Sequence, residues 1–222
     1  MRLNVIVQEF ERFGALKTVQ HLTLKGIRRF AMVKILKGVK IETVQPEFLE
    51  CDSRYRGEFL SQPVLTEIAR NSPEYDMSES FLRESFARGD ECYGFWDGSV
   101  LAAYGWYSNR PTAIDVPRMV LHFDNRYIYM YKGFTHVKYR GQRLHAMAMT
   151  RALDAYLARG FKGIVSYVEW DNFSSLKSCY RMGYVDFGNI YLARIFNRYL
   201  MHAERSCKPY GFRLEHAGNR GA

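Results

Sequence analysis

No stretch of this chain reaches the roughly 18–20 consecutive apolar residues needed to cross a bilayer as a helix. Cysteine is sparse: Cys51, Cys92, Cys179 and Cys207 are scattered, with no Cys-x-x-Cys pair. That pattern reads as free thiols in a reducing cytosol rather than a disulfide framework. There is no His-Glu-x-x-His motif and no clustered Cys/His set, so no metal is expected. Glutamates already stand at Glu9 and Glu11, too early for a secretion signal, and the expected location is cytoplasmic. Acidic residues are otherwise missing from the first forty, which hold nine Lys/Arg against those two Glu. The remaining 182 residues carry 23 basic and 21 acidic side chains, so the net charge of +9 is largely N-terminal. A nucleic-acid binder would spread its charge differently, and no Arg/aromatic platform is evident, which argues against nucleic acid as a partner.

What is present describes a globular domain. Hydrophobic residues make up 47% of 222 residues and aromatics 15%, enough for one sizeable core. Residues 1–40 read as a basic helical extension and 41–222 as the main domain. Over 14–37, Leu16, Val19, Leu22, Ile27, Phe30, Val33 and Leu36 recur at near-helical spacing, with Lys17, Lys25, Arg28, Arg29, Lys34 and Lys37 between them. The segment is either a helix packed on the domain with solvated lysines or a peripheral membrane contact. Gly38 to Val44 suggests a short strand. Residues 45–77, divided by Pro46, Pro63 and Pro73, are hard to read beyond a helix over Leu65 to Asn71. Asp76 and Glu79 stand at capping-box spacing ahead of a helix to Arg88.

From Cys92 onward the periodicity is clearer. Cys92–Trp96 and Val100–Tyr107 flank Asp97-Gly98 as a hairpin. A loop follows over 108–118. A strand is expected over 126–137, a helix over 140–159 closed by Gly160, a strand over 163–170, a helix over 172–182, then strands over 185–195 and near 210–214. The order is mixed α/β.

Two signals stand about thirty residues apart. One is Thr135-His136-Val137-Lys138-Tyr139-Arg140-Gly141-Gln142-Arg143-Leu144-His145, where an apolar strand runs through a basic turn into a helix. Unpaired N–H groups at a helix start, with the helix dipole behind them, cradle phosphate. The other is Asn172-Phe173-Ser174-Ser175, running on to Gly183-Tyr184. At these residues the chain resembles the GNAT superfamily of acyl-CoA N-acyltransferases, over roughly Cys92 to Asn197. Thr135, Tyr139, Arg140 and Gly141 match the family's turn. Val137 stands where it has proline, Arg143 where it has a second glycine, and His145 where it has a small residue. Asn172, Ser175, Gly183 and Tyr184 match its second block.

The resemblance implies a GNAT fold: a central, mostly antiparallel sheet splayed between two parallel strands near 127–136 and 163–170, flanked by helices. It implies acetyl-CoA, or a longer acyl-CoA, as co-substrate. The pyrophosphate would lie on the backbone N–H groups of Gln142, Arg143, Leu144 and His145. The pantetheine arm would pair with the strand ending at Phe134-Thr135 and meet Asn172 and Ser175 across the splay. His145 either narrows this cradle or points to solvent, while Arg143 adds a charge-assisted phosphate contact.

Amine acylation needs a base for the incoming ammonium and a proton for the departing thiolate, whose unperturbed pKa lies near ~8.5. Glu169 is the candidate base, placed on either the acceptor cleft or the helix layer. The family commonly has a donor tyrosine seven residues after the Asn. Here that place holds Cys179, with Tyr180 one step on, so Tyr180 and Cys179 are both candidate donors. Tyr127, Tyr129 and Tyr131 alternate on one strand and either line an acceptor pocket or pack in the sheet.

Three functions compete. The first is acyl transfer, acetyl by default, to the primary amine of a small molecule, by direct attack in a ternary complex. The second is transfer of a longer acyl chain from acyl carrier protein. The third is a GNAT-like module that binds without catalysis. The sequence sets no oligomeric state.

Overall fold

The residues Ile164 to Glu169 alternate between two cores, because a strand sends successive side chains to opposite faces. Ile164 and Val168 pack into one buried cluster and Val165 into another. In the computed structural model, which describes residues 32–195 and 198–219, this strand stands near the middle of an eight-stranded sheet.

The elements in chain order are β1 (Met32–Ile41), β2 (Tyr55–Leu60), α1 (Gln62–Asn71), α2 (Glu79–Arg88), β3 (Glu91–Asp97), β4 (Val100–Ser108), β5 (Thr112–Ala113), β6 (Met119–His122), β7 (Ile128–Thr135), α3 (Leu144–Ala158), β8 (Ile164–Glu169), α4 (Phe173–Arg181), β9 (Val185–Ile195), β10 (Arg198–Ala203) and β11 (Arg213–His216). The large sheet runs β10-β9-β1-β8-β7-β4-β3-β2, and a three-stranded sheet runs β11-β6-β5. All pairs are antiparallel except β7 with β8. Helix α3 covers one face with Met149, Ala152 and Leu153. The small sheet covers part of the other through Met119, Leu121 and Leu214. A third cluster joins Leu65 of α1 and Leu82 of α2 to Trp106 of β4.

Several expectations change. Residues 32–37 of the helix expected over 14–37 are strand, so the boundary expected after residue 40 falls inside β1; the rest of that segment lies outside the described residues. β1 is no short edge piece: it pairs with β8 on one side and β9 on the other. Its Leu36 faces one core while Val39 and Ile41 face the other, a two-sided burial that overrides the helical spacing of its lysines. The cap of α2 is Ser78, whose hydroxyl accepts the Phe81 N–H at 3.1 Å. Asp76 adopts a left-handed conformation instead, with φ at 52°. The 45–77 segment contains β2, and α1 starts three residues before the expected Leu65. Among the described residues no helix is long and apolar enough to cross a membrane.

The sheet opens between β7 and β8. They pair only at Ile128 with Ile164 and Tyr129 with Val165. Immediately beyond, β7 carries an extra residue, Tyr131: Trp106 faces Lys132 but Tyr107 faces Met130. Such a bulge bends the strand and increases its twist, and here it turns β7 away from β8. The Ser166 hydroxyl donates to the Met130 carbonyl at 2.7 Å, closing the last group before the gap. The edge of β7 from Tyr131 to Thr135 forms no ladder with β8.

Candidate active site

The free edge of β7 divides two hollows. Phe134 lines one and Thr135 the other, as neighbouring strand residues must.

On the Thr135 side lies a cleft of about 230 Å³, bordered by Arg140, Gly141, Arg143, Leu144, Ser178 and Arg181, among others. Among the described residues no carboxylate lines it. The turn leading into α3 contains two left-handed residues, Gly141 at φ 85° and Arg143 at φ 61°. Glycine enters that region freely, whereas an L-residue pays about 1–2 kcal/mol. Arg143→Gly is therefore expected to stabilise the fold by up to ~1 kcal/mol, read in a denaturant midpoint, while removing a cation from the cleft. Arg143 occupies the N-cap position but makes no side-chain cap. The opening N–H groups of α3 thus remain directed outward beside three exposed guanidinium groups.

The turn is braced. The Tyr139 hydroxyl donates to Asp97 at 3.0 Å, and the Gln142 carboxamide oxygen accepts from Tyr55 at 2.7 Å. The Gln142 N–H donates to the Tyr139 carbonyl at 3.3 Å, which removes it from the expected phosphate donors. The available set begins at Arg143 and runs through Leu144 and His145 to Ala146. Val137 is 66% exposed and stands outside the cleft lining.

His145 turns inward. A β-carbon on Gly133 would stand 2.5 Å from the His145 ring, so that glycine leaves the notch the imidazole fills. Desolvation lowers the His145 pKa below its ordinary 6.5. A base whose pKa falls on folding binds its proton better in the unfolded chain, so stability is full above about pH 6.5 and declines as pH drops toward the folded pKa. His145→Leu should flatten the decline in stability below about pH 6.5, measured by urea unfolding as pH is lowered from there.

The second hollow, about 400 Å³, lies on the Phe134 side between α2, β7, β8 and the end of β5. Tyr129, Tyr131 and Tyr167 form its aromatic wall, with ring centroids 5.9 and 6.4 Å apart. Two of the three alternating tyrosines thus line a cavity, while Tyr127 packs on Tyr210 and donates to Glu42 at 2.6 Å. At its edge the Asp90 carboxylate accepts from Tyr131 at 2.8 Å and pairs with Arg88. Burial raises the Tyr167 pKa.

The expected catalytic residues fare unequally. Glu169 lies on the same face of β8 as Tyr167, the cavity side rather than the helix layer, and pairs with Lys34. Tyr180 is 45% exposed and donates to Asp186 at 2.9 Å; neither it nor Cys179 lines the cleft. Burial pushes the Cys179 thiol up to about 11, which disfavours a thiolate. The helical offset of one residue turns these two away and presents Ser178 and Arg181 instead. Asn172 caps α4, accepting from the Ser175 N–H at 3.2 Å. The three-residue spacing of Ser175, Ser178 and Arg181 is the signal that would have pointed to Arg181. Tyr167 was legible as the alternate partner of Glu169 on its strand.

No family model matches this sequence, and no curated protein matches it. Among solved structures it is similar to a GNAT-family acetyltransferase from Colwellia psychrerythraea, 16% identical with a TM-score of 0.50, over 72% of this chain and 55% of that one. It is also similar to a protein from Drosophila, 10% identical with a TM-score of 0.50, over 81% and 57% of the two chains. The chain spans little more than half the length of both structures. A further similar structure is yncA from Salmonella typhimurium, solved with acetyl-CoA, 15% identical with a TM-score of 0.42, over 77% and 98%. The fold is the GNAT fold.

Proposed function

We propose that this chain, built on the GNAT fold, transfers an acyl group, acetyl by default, from acyl-CoA to a primary amine. The observation that carries the reading is the pairing of two hollows across one free strand edge: an uncapped helix start ringed by Arg140, Arg143 and Arg181 on one side, and an aromatic cavity on the other. The pyrophosphate would lie on the N–H groups of Arg143, Leu144, His145 and Ala146, with charge-assisted contacts from the arginines. The pantetheine amides would pair with the β7 edge near Phe134 and Thr135 as an added strand, with Asn172 and Ser175 across the gap. The thioester then reaches the splay, where the amine approaches from the cavity.

Direct attack forms the C–N bond, expels the thiolate and leaves a proton on nitrogen. Glu169 would accept that proton through water. Tyr167 would replace Tyr180 as donor to the thiolate, since it lines the cavity at the splay and burial keeps it protonated. Tyr167→Phe is expected to lower kcat about a hundredfold with little change in KM for acetyl-CoA. A kinetic comparison at several pH values checks this.

The defining experiment is calorimetric titration with acetyl-CoA at moderate salt. Wild-type protein should bind at one site, and Arg143→Glu should weaken binding about tenfold or more, about 1.4 kcal/mol. Absence of saturable binding by wild type would overturn the acyl-CoA reading. A parallel titration with acyl carrier protein tests whether the same cradle takes protein-borne phosphopantetheine.

A further inference from the structure

The acceptor cavity has a charge pattern at odds with the rest of the chain. The protein carries a net charge of +9, yet the cations in this hollow are committed. Lys132 pairs with the Asp76 carboxylate at 2.8 Å and also donates to its carbonyl. Arg88 is held by Asp90 through its Nε at 3.0 and 3.1 Å. Two other lining carboxylates, Glu84 of α2 and Asp115 just beyond β5, make no ion pair among the described residues. Both are exposed at the rim, and they come from different elements. Inside them stand the rings of Tyr129, Tyr131 and Tyr167, with Phe81 and Phe134 nearby.

The chemistry this combination recognises is specific. Among the described residues, a ligand with a carboxylate or phosphate would meet two uncompensated negative charges and no free cation, so amino-acid and sugar-phosphate acceptors are disfavoured. An alkylammonium gains from both aromatic faces and carboxylates. One nitrogen must lie deep, at the splay, and be neutral when it attacks. It therefore cannot also satisfy carboxylates at the mouth.

We infer that the acceptor is a small dication or polycation: a primary amine joined by a short flexible chain to a second cationic nitrogen, with no acidic group. The deep amine lies against the tyrosines, and the second nitrogen is held by Glu84 and Asp115. A cavity of about 400 Å³ accommodates a linear diamine or triamine. The word acceptor rests on the acyltransfer reading; the cation selectivity does not.

The test separates the two. Spermidine, n-butylamine and 4-aminobutyrate are titrated by calorimetry, without any acyl donor, into wild-type protein and the Glu84→Gln/Asp115→Asn double variant. Both carboxylates are exposed, so the variant should fold normally, and a thermal melt confirms it. Spermidine should bind wild type at one site, at least about fivefold tighter than butylamine, with aminobutyrate weakest. The double variant should lose about fivefold to tenfold for spermidine and little for butylamine, as expected of two solvent-exposed charge pairs. Equal binding of spermidine and butylamine, no binding of either, or a spermidine affinity untouched by the double substitution would overturn the inference. The acetyl-CoA titration with Arg143→Glu reports on the acyltransfer reading independently, so failure of one leaves the other standing.

Discussion

Gly163→Ala is expected to lower the unfolding free energy by about 3 kcal/mol, at the upper end of overpacking costs, read as a shifted urea midpoint at unchanged slope. A β-carbon at this position would stand 2.3 Å from the Ile41 carbonyl oxygen and 3.0 Å from the Glu42 Cα. Both are backbone atoms, so no side chain can rotate to make room. Relief on the other side is also blocked, because the Gly163 carbonyl accepts the Ile128 N–H at 3.0 Å. The residue is wedged between β1 and β7 at the point where β7 and β8 begin their short pairing. Gly98→Ala provides the contrast. That glycine has φ 58° and open space around its β-carbon position, so only the left-handed conformation is penalised, by about 1 kcal/mol. Equal costs for the two substitutions would contradict the close approach of β1 to β8.

Asp90→Ala should cost about 3–5 kcal/mol, the range for removing one partner of a buried ion pair. Asp90 is 3% exposed and holds both the Arg88 guanidinium and the Tyr131 hydroxyl. Truncation leaves a cation beneath the Tyr131 ring with no counter-charge and a hydroxyl with one partner fewer. Asp90→Asn keeps an acceptor for either group and should recover part of the loss. Urea unfolding of the three proteins orders them wild type, Asn, Ala. The same substitution frees Arg88 inside the aromatic cavity, so Asp90→Asn should also weaken spermidine binding, although Asp90 itself lies outside the lining. An unchanged spermidine affinity in Asp90→Asn would show that Arg88 does not contribute to the potential there.

The half of the chain from Glu91 to Ile195 was legible because its elements are long and strongly patterned. α3, β8 and α4 fall within the spans expected from apolar periodicity, and β9 matches at both ends. The first part of β1 was misread because Lys34 and Lys37 continue what looks like a wet helical face. Those lysines instead reach carboxylates on Glu169 and Asp186, partners no local pattern reveals. The Tyr131 bulge was equally invisible, since it exists only in the register between β7 and β4. The turn into a helix start was legible, but the Gln142 N–H closes a local turn, so the unpaired N–H groups begin one residue later than expected. The cavity charges depend on which carboxylates find partners across the fold, so Glu84 and Asp115 carry no signal in sequence.

The position of β1 has a kinetic consequence. It is made before every other strand of the large sheet, yet both its neighbours come much later in the chain: Leu36 aligns with Glu169 and Met32 with Arg194. Loop closure over such separations must precede the contacts that reward it, and topologies of this kind fold slowly. During synthesis β1 therefore has neither partner until β8 and then β9 emerge, while the β2–β3–β4 meander can pair at once from neighbouring segments. The sheet's two arms should mature at different times, the meander arm early and the β1 arm last. Hydrogen-exchange labelling during refolding should show amides of β3 and β4 protected before those of β1.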